Sequence, residues 1–409
     1  MTLRFETDLL IPGRGEPIRD AVVVVDDATI SYAGPAPTAP ATPDATAVRA
    51  PAVMPGLWEC HGHFIGTRSL DFARLTQEPI ALRGARAVAD LRAALDAGVT
   101  SVREVGGLGV YLARAVEEGV VDGPHIYAAG SILSATGGHG DLHSHPLSWV
   151  HEFSAAGGEL RLADGPAECA KAVREQLRKN AKVIKVCASG GVLSEIDHPI
   201  HQQLTGAELR AIVEVAGMAE RVVAAHCHGK PGIMAALAAG VRTIEHGTYL
   251  DEEAAAAMRE TGAILVTTRT IVRDILDSKA APPYAMEKLT AIADRHAAAV
   301  ALARESGVTV AMGTDLALSG RDLPVSWGRN GHELPLLAEC GFTPLEAIEA
   351  ATATGPATLG PQAPRSGQLA AGFDADLLTL AADPVADLSV LADPANVTGV
   401  WKAGVRVKG

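Results

Sequence analysis

From residue 53 onward the chain alternates short apolar runs with helix-like segments. This alternation limits the possible folds more than any other feature. The runs cover residues 53–57, 99–103, 126–129, 183–186, 222–226, 243–246, 264–268 and 309–312. Each is rich in Val, Ile, Thr or Ala and short enough for a buried strand. Between them lie segments with helical spacing. One spans residues 80–97, with Leu82, Ala85, Leu91 and Leu95 placed on one face. Thr205-Gly206-Ala207-Glu208 and Thr343-Pro344-Leu345-Glu346 read as capping-box helix starts. Eight buried strands alternating with helices predict an α/β fold, specifically a (β/α)8 TIM-like barrel. An open doubly wound sheet is the alternative. No Gly-X-Gly-X-X-Gly follows the first run, which counts against it.

The two ends differ in texture. Residues 20–32 hold a Val-rich run, an Asp26-Asp27 turn and a second strand. After residue 362 come further strand-like runs at 376–380, 397–401 and 405–407. Neither end is long enough for a core of its own. The expected organisation is therefore 1–52 and 362–409 paired into one small β-sandwich, flanking a barrel at 53–361.

Composition sets outer bounds. A chain of 409 residues with 48% hydrophobic and 20% charged residues can bury a large core. A formal net charge of −13 with no basic cluster argues against a nucleic-acid backbone as partner. The five cysteines are scattered, with no Cys-X-X-Cys pair, as in a reduced compartment. The N-terminus lacks the apolar core of a signal peptide, and no apolar run is long enough to span a membrane. A cytoplasmic protein with a small-molecule substrate and no membrane partner is expected. A homo-oligomer is expected as well.

Barrel active sites lie at the C-terminal ends of the strands. Of 14 histidines, only His125 and His296 fall outside the segments at or after predicted strand ends. His61-Gly62-His63 follows the first run, and residues i and i+2 of a strand share a face, so two imidazoles can grip one metal there. His226 closes the fifth run, His246 the sixth, and Asp315 follows the eighth. His226 and His246 as packed core histidines, and Asp315 as a helix N-cap, are the plainer readings of each taken singly.

Lys185 lies among apolar neighbours in the fourth run. A buried ammonium is costly unless paired, and a metal at His61 and His63 would repel it. A lysine that has added CO2 is instead an anionic carbamate able to bridge two metals. Two divalent ions bring about +4, and the carbamate, Asp315 and a bridging hydroxide about −3, leaving roughly +1 to act as a Lewis acid.

These residues, read with the motifs around them, resemble the metal-dependent amidohydrolase superfamily over nearly the full chain. The matching stretches are Pro55-Gly56-Leu57 before His61-Gly62-His63, Gly98–Arg103, Thr136–Asp141, Ile184-Lys185 with Ser189-Gly190-Gly191, Ala225–Gly229, Glu245-His246-Gly247, Gly313-Thr314-Asp315, and the closing Ala375-Asp376-Leu377 and Asp383-Pro384. The resemblance is to the prolidase-like and N-acyl-amino-acid carboxypeptidase-like branch, which includes ochratoxin-type amidases. It implies two divalent metal ions, usually Zn2+. His61, His63 and Asp315 would hold one metal, His226 and His246 the other, and carboxylated Lys185 would bridge them. All are ligand types that zinc accepts. The chain departs from the family in carrying Glu59 and Glu104 where Asp is usual. Trp327 stands where the branch often has His, and Leu204 replaces an aromatic.

The expected reaction is hydrolysis of the amide bond of an N-acyl amino acid or dipeptide-like substrate by a metal-bridging hydroxide. Asp315 would act as general base and then acid, with His228 beside the polarised carbonyl. His139 resembles the branch's carboxylate-facing histidine. Tyr249 and Arg269 are candidate substrate contacts, and Arg269 could pair bidentately with a carboxylate. His143, His145, His198 and His201 are candidates for the mouth. Hydrolysis of a cyclic amide, lactone or carbamate at the same site is the alternative chemistry. A purely structural metal protein is disfavoured, because structural zinc needs no spare acid–base group. A deaminase lacks its glutamate in Gly229-Lys230-Pro231-Gly232.

Overall fold

The computed structural model describes all 409 residues. Eight strands form a barrel in chain order. They are β1 (Leu57–Thr67), β2 (Val99–Glu104), β3 (His125–Ala128), β4 (Ile184–Cys187), β5 (Val223–Cys227), β6 (Thr243–His246), β7 (Ile264–Val266) and β8 (Val310–Ala311). Parallel ladders join β1 to β2 to β3, and β4 through β8. Backbone hydrogen bonds close the seams. Lys182 N–H donates to Ala128 O at 2.8 Å, and Cys60 N–H donates to Met312 O at 3.0 Å.

Side chains alternate across each strand, and this decides which residues see the barrel interior. Ile184 and Val186 of β4 pack outward into the main hydrophobic core under the helices, so Lys185 faces inward. Val223, Ala225 and Cys227 do the same on β5, leaving Ala224 and His226 inside. Below the site the interior is filled by Trp58, Cys60, Val183, Ala224, Ile264 and Ala311. The barrel is a packed core with a polar top.

The chain ends form one seven-stranded mixed sheet, Thr2–Leu10, Ile18–Asp26, Thr29–Pro35 and Thr46–Pro55 joining Leu377–Leu380, Val397–Lys402 and Val405–Lys408. Leu377–Leu380 pairs antiparallel with Thr46–Pro55, which ties the two ends together. The sheet curls until the turn at Asp27 meets the turn at Gly404, where a Cβ would lie 1.8 Å from Asp27 O. It encloses 13 buried apolar residues, with Phe5 edge-on to Trp401 at 4.8 Å.

Three details differ from the sequence reading. The run at 53–57 is two elements: Val53 pairs with Leu10 and Thr379 in the terminal sheet, and the barrel begins at Leu57. Gly56 makes the break, since a Cβ there would lie 2.0 Å from Thr100 Oγ1. The helix Ile80–Asp96 buries Arg83, Ala87, Asp90 and Leu91, while Leu82 is 46% exposed. Polar partners turn it: Arg83 pairs with Glu159, and Ser319 Oγ donates to Asp90. Three short strands, Ile132–Ser134, Leu160–Leu162 and Leu316–Leu318, carry too little pattern to read. The first two extend the sheet beyond β4 and wall the barrel mouth. Both capping boxes, at Thr205 and Thr343, are formed.

Candidate active site

At the top of β1, His61 and His63 are each anchored through one ring nitrogen. His61 Nδ1 donates to Glu245 Oε2 at 2.7 Å, and His63 Nδ1 donates to Gly106 O at 2.7 Å. Both therefore offer the lone pair of Nε2. These Nε2 atoms lie 3.6 and 3.1 Å from Asp315 Oδ1. Lys185 Nζ is 3.2 Å from His61 Nε2. His246 Nδ1 pairs with Thr268 Oγ1 at 2.8 Å, and His228 Nδ1 with Thr248 Oγ1 at 2.7 Å, leaving Nε2 of each unpaired. His226 packs edge-on against both, 4.7 Å from each ring, with its Nε2 3.2 Å from Gly190 O.

The backbone is strained where it presents these groups. His246, Thr268 and Asp315 have φ of 70°, 85° and 60°. Non-glycine residues rarely occupy this region, and each such residue costs on the order of 1–3 kcal/mol. Asp315 is held there by its N–H, which donates to His61 O at 2.7 Å.

Electrostatics favour metal binding. Burial, then the nearby Lys185, pushes His61 down to about 4. Burial pushes His226 and His246 well below the usual range and His228 to about 3. All are neutral imidazoles at pH 7, the form that binds a metal. Burial also lowers Lys185. Burial alone would raise Asp315, but His61 and His63 outweigh it and hold the carboxyl low. Candidate ligand atoms cluster in two overlapping sets, His61–His246–Asp315 and His226–His228–His246, each within 4.8 Å. The free Nε2 atoms of His61, His63, His228 and His246, a carboxylate and an amine whose pKa burial lowers suit divalent ions.

A charged layer beneath the ligands was not read from the sequence. Arg103 is fully buried and donates to both oxygens of Glu245 at 2.8 and 2.7 Å, to Thr243 Oγ1 and to Cys60 O. Burial would raise Glu245, but Arg103 outweighs it and keeps the carboxyl ionised. Glu245 in turn orients His61. The motifs Gly98–Arg103 and Glu245-His246-Gly247 were the sequence signals for this network, but neither showed that the two meet. Arg103→Met leaves a buried carboxylate unpaired, so it should destabilise the protein by about 3–5 kcal/mol in denaturant unfolding. Arg103→Met/Glu245→Gln should lose less. A single variant as stable as the wild type would remove Arg103 from this role.

The two glutamates that replace aspartates differ in use. Glu59 accepts from His61 N, Thr314 N, Thr314 Oγ1 and Asn330 Nδ2, clamping the β1 end to the Asp315 turn. Burial pushes it up to about 7 against those donors. Glu104 has no hydrogen-bond partner on either oxygen, and burial pushes it up to about 8. Trp327 and Leu204 sit in the core, away from the cavity. Trp327 donates from Nε1 to His63 O at 3.1 Å and stacks on Phe64.

Above the ligands lies a cavity of about 390 Å³. Its walls are largely apolar: Ile65, Phe72 and Leu75 in one cluster, Leu70, Ile271, Ile275, Leu289 and Ile292 in another, and Ile132, Leu142 and Leu160 in a third. His139 lines it, stacked on His226 at 4.2 Å. His139 Nδ1 donates to Ser194 Oγ at 2.8 Å, and Ser194 donates to Asp197, whose loop is tied down by Lys288. His143 also lines the cavity, with Nδ1 accepting from Ile196 N. His198 and His201 are exposed and His145 pairs with Thr76, so none of the three lines it.

Two substrate-contact expectations need correcting. Arg269 is buried and points away from the cavity, donating to Ala293 O at 3.2 Å and His296 Nδ1 at 3.1 Å. Glu333 accepts from the Arg269 N–H and fixes the helix start, which turns the side chain inward. Tyr249 lies under Arg295, 4.9 Å from its guanidinium, and does not line the cavity. His296, outside the strand-end segments, does line it. The helix Pro283–Glu305 crosses the mouth, which its own periodicity does not reveal.

A barrel with this ligand cluster at its rim fits a metal-dependent hydrolase, and the chain belongs to the amidohydrolase family, hydrolases of amide bonds, whose sequence pattern matches residues 52–407. The family is metal-dependent. The chain is 41% identical over 418 residues to ochratoxinase of Aspergillus niger, covering 98% of this chain and 85% of that protein. The crystal structure of A. niger ochratoxinase superposes with a TM-score of 0.92 at 40% identity, over 100% of this chain and 96% of that one. A prolidase solved with N-methylphosphonate-L-proline matches at TM-score 0.92 and 32% identity, with 100% of both chains covered. A Xaa-Pro dipeptidase with methionine in its active site gives 0.86 at 28% identity, again over 100% of both chains. No helix is long and apolar enough to cross a membrane.

Proposed function

We propose that this chain is a binuclear metal amidohydrolase that cleaves N-acyl amino acids or dipeptide-like molecules with a bulky apolar body. One observation carries the reading. His61, His63, His246, Lys185 and Asp315 converge below a largely apolar cavity of about 390 Å³. His61, His63 and Asp315 would hold one ion and His226 and His246 the second. The likeness to ochratoxinase and to a prolidase supports an amide with an amino-acid leaving group.

Bound divalent metals, most simply zinc, would lower the pKa of water and polarise the scissile carbonyl. The remaining chemistry belongs to the side chains. Lys185, its pKa lowered by burial, adds CO2 through its neutral amine and releases a proton, giving a carbamate between the two ligand sets. Asp315, ionised at neutral pH, takes the proton of the attacking water and passes it to the leaving nitrogen. His228 presents Nε2 beside the carbonyl. His139 faces the carboxylate end, set by Ser194 and Asp197. Apolar walls exclude water from the remainder.

The test is to titrate the chelated protein with zinc and bicarbonate while assaying N-acyl amino acids. The expected outcome is activity rising until about two metals are bound per chain. Saturation at one metal, or no hydrolysis of any N-acyl amino acid or dipeptide, would overturn the reading.

A further inference from the structure

His246 belongs to both overlapping ligand sets, and its Nδ1 meets Thr268 Oγ1 at 2.8 Å. Thr268 is the N-cap of the helix Arg269–Ser278. A threonine at an N-cap ordinarily has an extended backbone, and its side-chain oxygen accepts from an N–H of the first turn. Thr268 does neither. Its φ and ψ are 85° and 39°, and its hydroxyl caps nothing in the helix. A β-branched residue in the left-handed region is strained and persists only where its surroundings hold it.

Glu333 supplies that hold from 65 residues away. Its carboxylate is fully buried. The successive N–H groups of Thr268, Arg269 and Thr270 all donate to it, at 3.0, 2.8 and 2.7 Å. The hydroxyls of Thr267 and Thr270 donate as well, each at 2.6 Å. Successive N–H groups across a left-handed residue form an anion-binding hollow, and the start of a helix adds its positive dipole end. Burial pushes the Glu333 carboxyl up, and these donors, not a cation, oppose it. The Thr268 N–H is shared with Gly313 O at 2.9 Å, in the turn that carries Asp315. A threonine could have capped this helix locally. With Glu333 as the cap, the Thr268 hydroxyl is left to face His246.

We propose that Glu333 is a positioning residue for metal binding: it caps the helix Arg269–Ser278 in place of Thr268 and so releases the Thr268 hydroxyl to hold His246 Nδ1, leaving Nε2 for the metal. The proposal rests on the metal reading of the site. It extends the ring-anchoring seen at His61 and His63 to a carboxylate that touches no ligand itself.

The test is a double-mutant cycle read as zinc affinity by chelator competition, with no assay of turnover. Thr268→Val removes the hydroxyl and keeps the branched shape, and it should weaken one bound zinc about 10–100-fold. Thr268→Ser keeps the hydroxyl and should stay within about threefold of the wild type. Glu333→Gln puts an NH2 group against backbone donors and should weaken the same ion by about 10–100-fold. Should Glu333→Gln not be recovered folded, Glu333→Asp, which withdraws the carboxylate by one methylene, is read in the same way. In the Glu333-substituted background, Thr268→Val should cost less than about threefold more, because both changes act on one contact. Leu337→Ala opens a cavity under the helix that carries Glu333, so it should lower the denaturation midpoint and leave zinc affinity unchanged.

Wild-type zinc affinity in Thr268→Val or in the Glu333 variant would overturn the proposal. An equal cost of Thr268→Val in both backgrounds would show that the two residues act independently. Loss of the same ion in Leu337→Ala would reduce Glu333 to general support of the fold. A wild-type protein that binds no zinc would sink the metal reading and this inference with it, whereas a zinc-binding wild type with an additive cycle sinks this inference alone.

Discussion

Asp315→Asn is expected to lower kcat/KM by about 10²–10⁴-fold while the protein stays folded. The carboxylate stands 3.1 Å from His63 Nε2 and 3.6 Å from His61 Nε2, and the two histidines hold it ionised despite burial. It is the only carboxylate in the His61–His246–Asp315 ligand set. Asn keeps the shape and one acceptor but cannot carry a proton. Its turn is fixed by Glu59, which accepts from Thr314, so the φ of 60° at position 315 need not relax. Steady-state rates must be read beside metal content, since a lost ligand would also lower occupancy. An Asn variant with full metal and wild-type turnover would take Asp315 out of the proton path. The same electrostatics set the acid limit. Asp315 lies below the usual carboxylate range, and His61 gains a proton only near pH 4. Metal should therefore be held at neutral pH and be lost in the acid range as the imidazoles protonate.

Lys185→Ala should have an effect of similar size by a different route. Lys185 is 3% exposed, its amine lies 3.2 Å from His61 Nε2, and its strand pairs with β5, which carries His226. Without it the two metals lose their common ligand. Bound metal should fall from about two per chain to one or fewer, and turnover should fall with it. Acetate or propionate can stand in for a carbamate, and either should restore part of the activity to the Ala variant. Full metal content and activity in Lys185→Ala without added acid would remove the bridge.

Much of this site was legible in one dimension. His61-Gly62-His63, Lys185, His226, His246 and Asp315 lie at or beside the ends of apolar runs, and in a parallel barrel every such end points to the same rim. The capping boxes at Thr205 and Thr343 were legible because their partners lie three residues apart. The apolar wall and the charged supports were not. Arg103 meets Glu245 across 142 residues of chain, and Arg83 meets Glu159 across 76. Nothing in the local sequence of either arginine says that its side chain is buried. Arg269 showed the same limit in reverse. Its place after a strand suggested a substrate contact, yet the start of its helix turned it onto His296.

The sequence by itself determined the barrel, the rim and the identity of the candidate metal ligands. These follow from strand periodicity and from side-chain chemistry that does not depend on distant partners. Only the tertiary structure decided what shapes the cavity above them. His296 reaches the pocket from a helix, His139 is set by Ser194 and Asp197, and the inserted strands bring Ile132 and Leu160 to the wall. Each depends on segments that meet only when the barrel closes, because burial and pairing are properties of the folded chain.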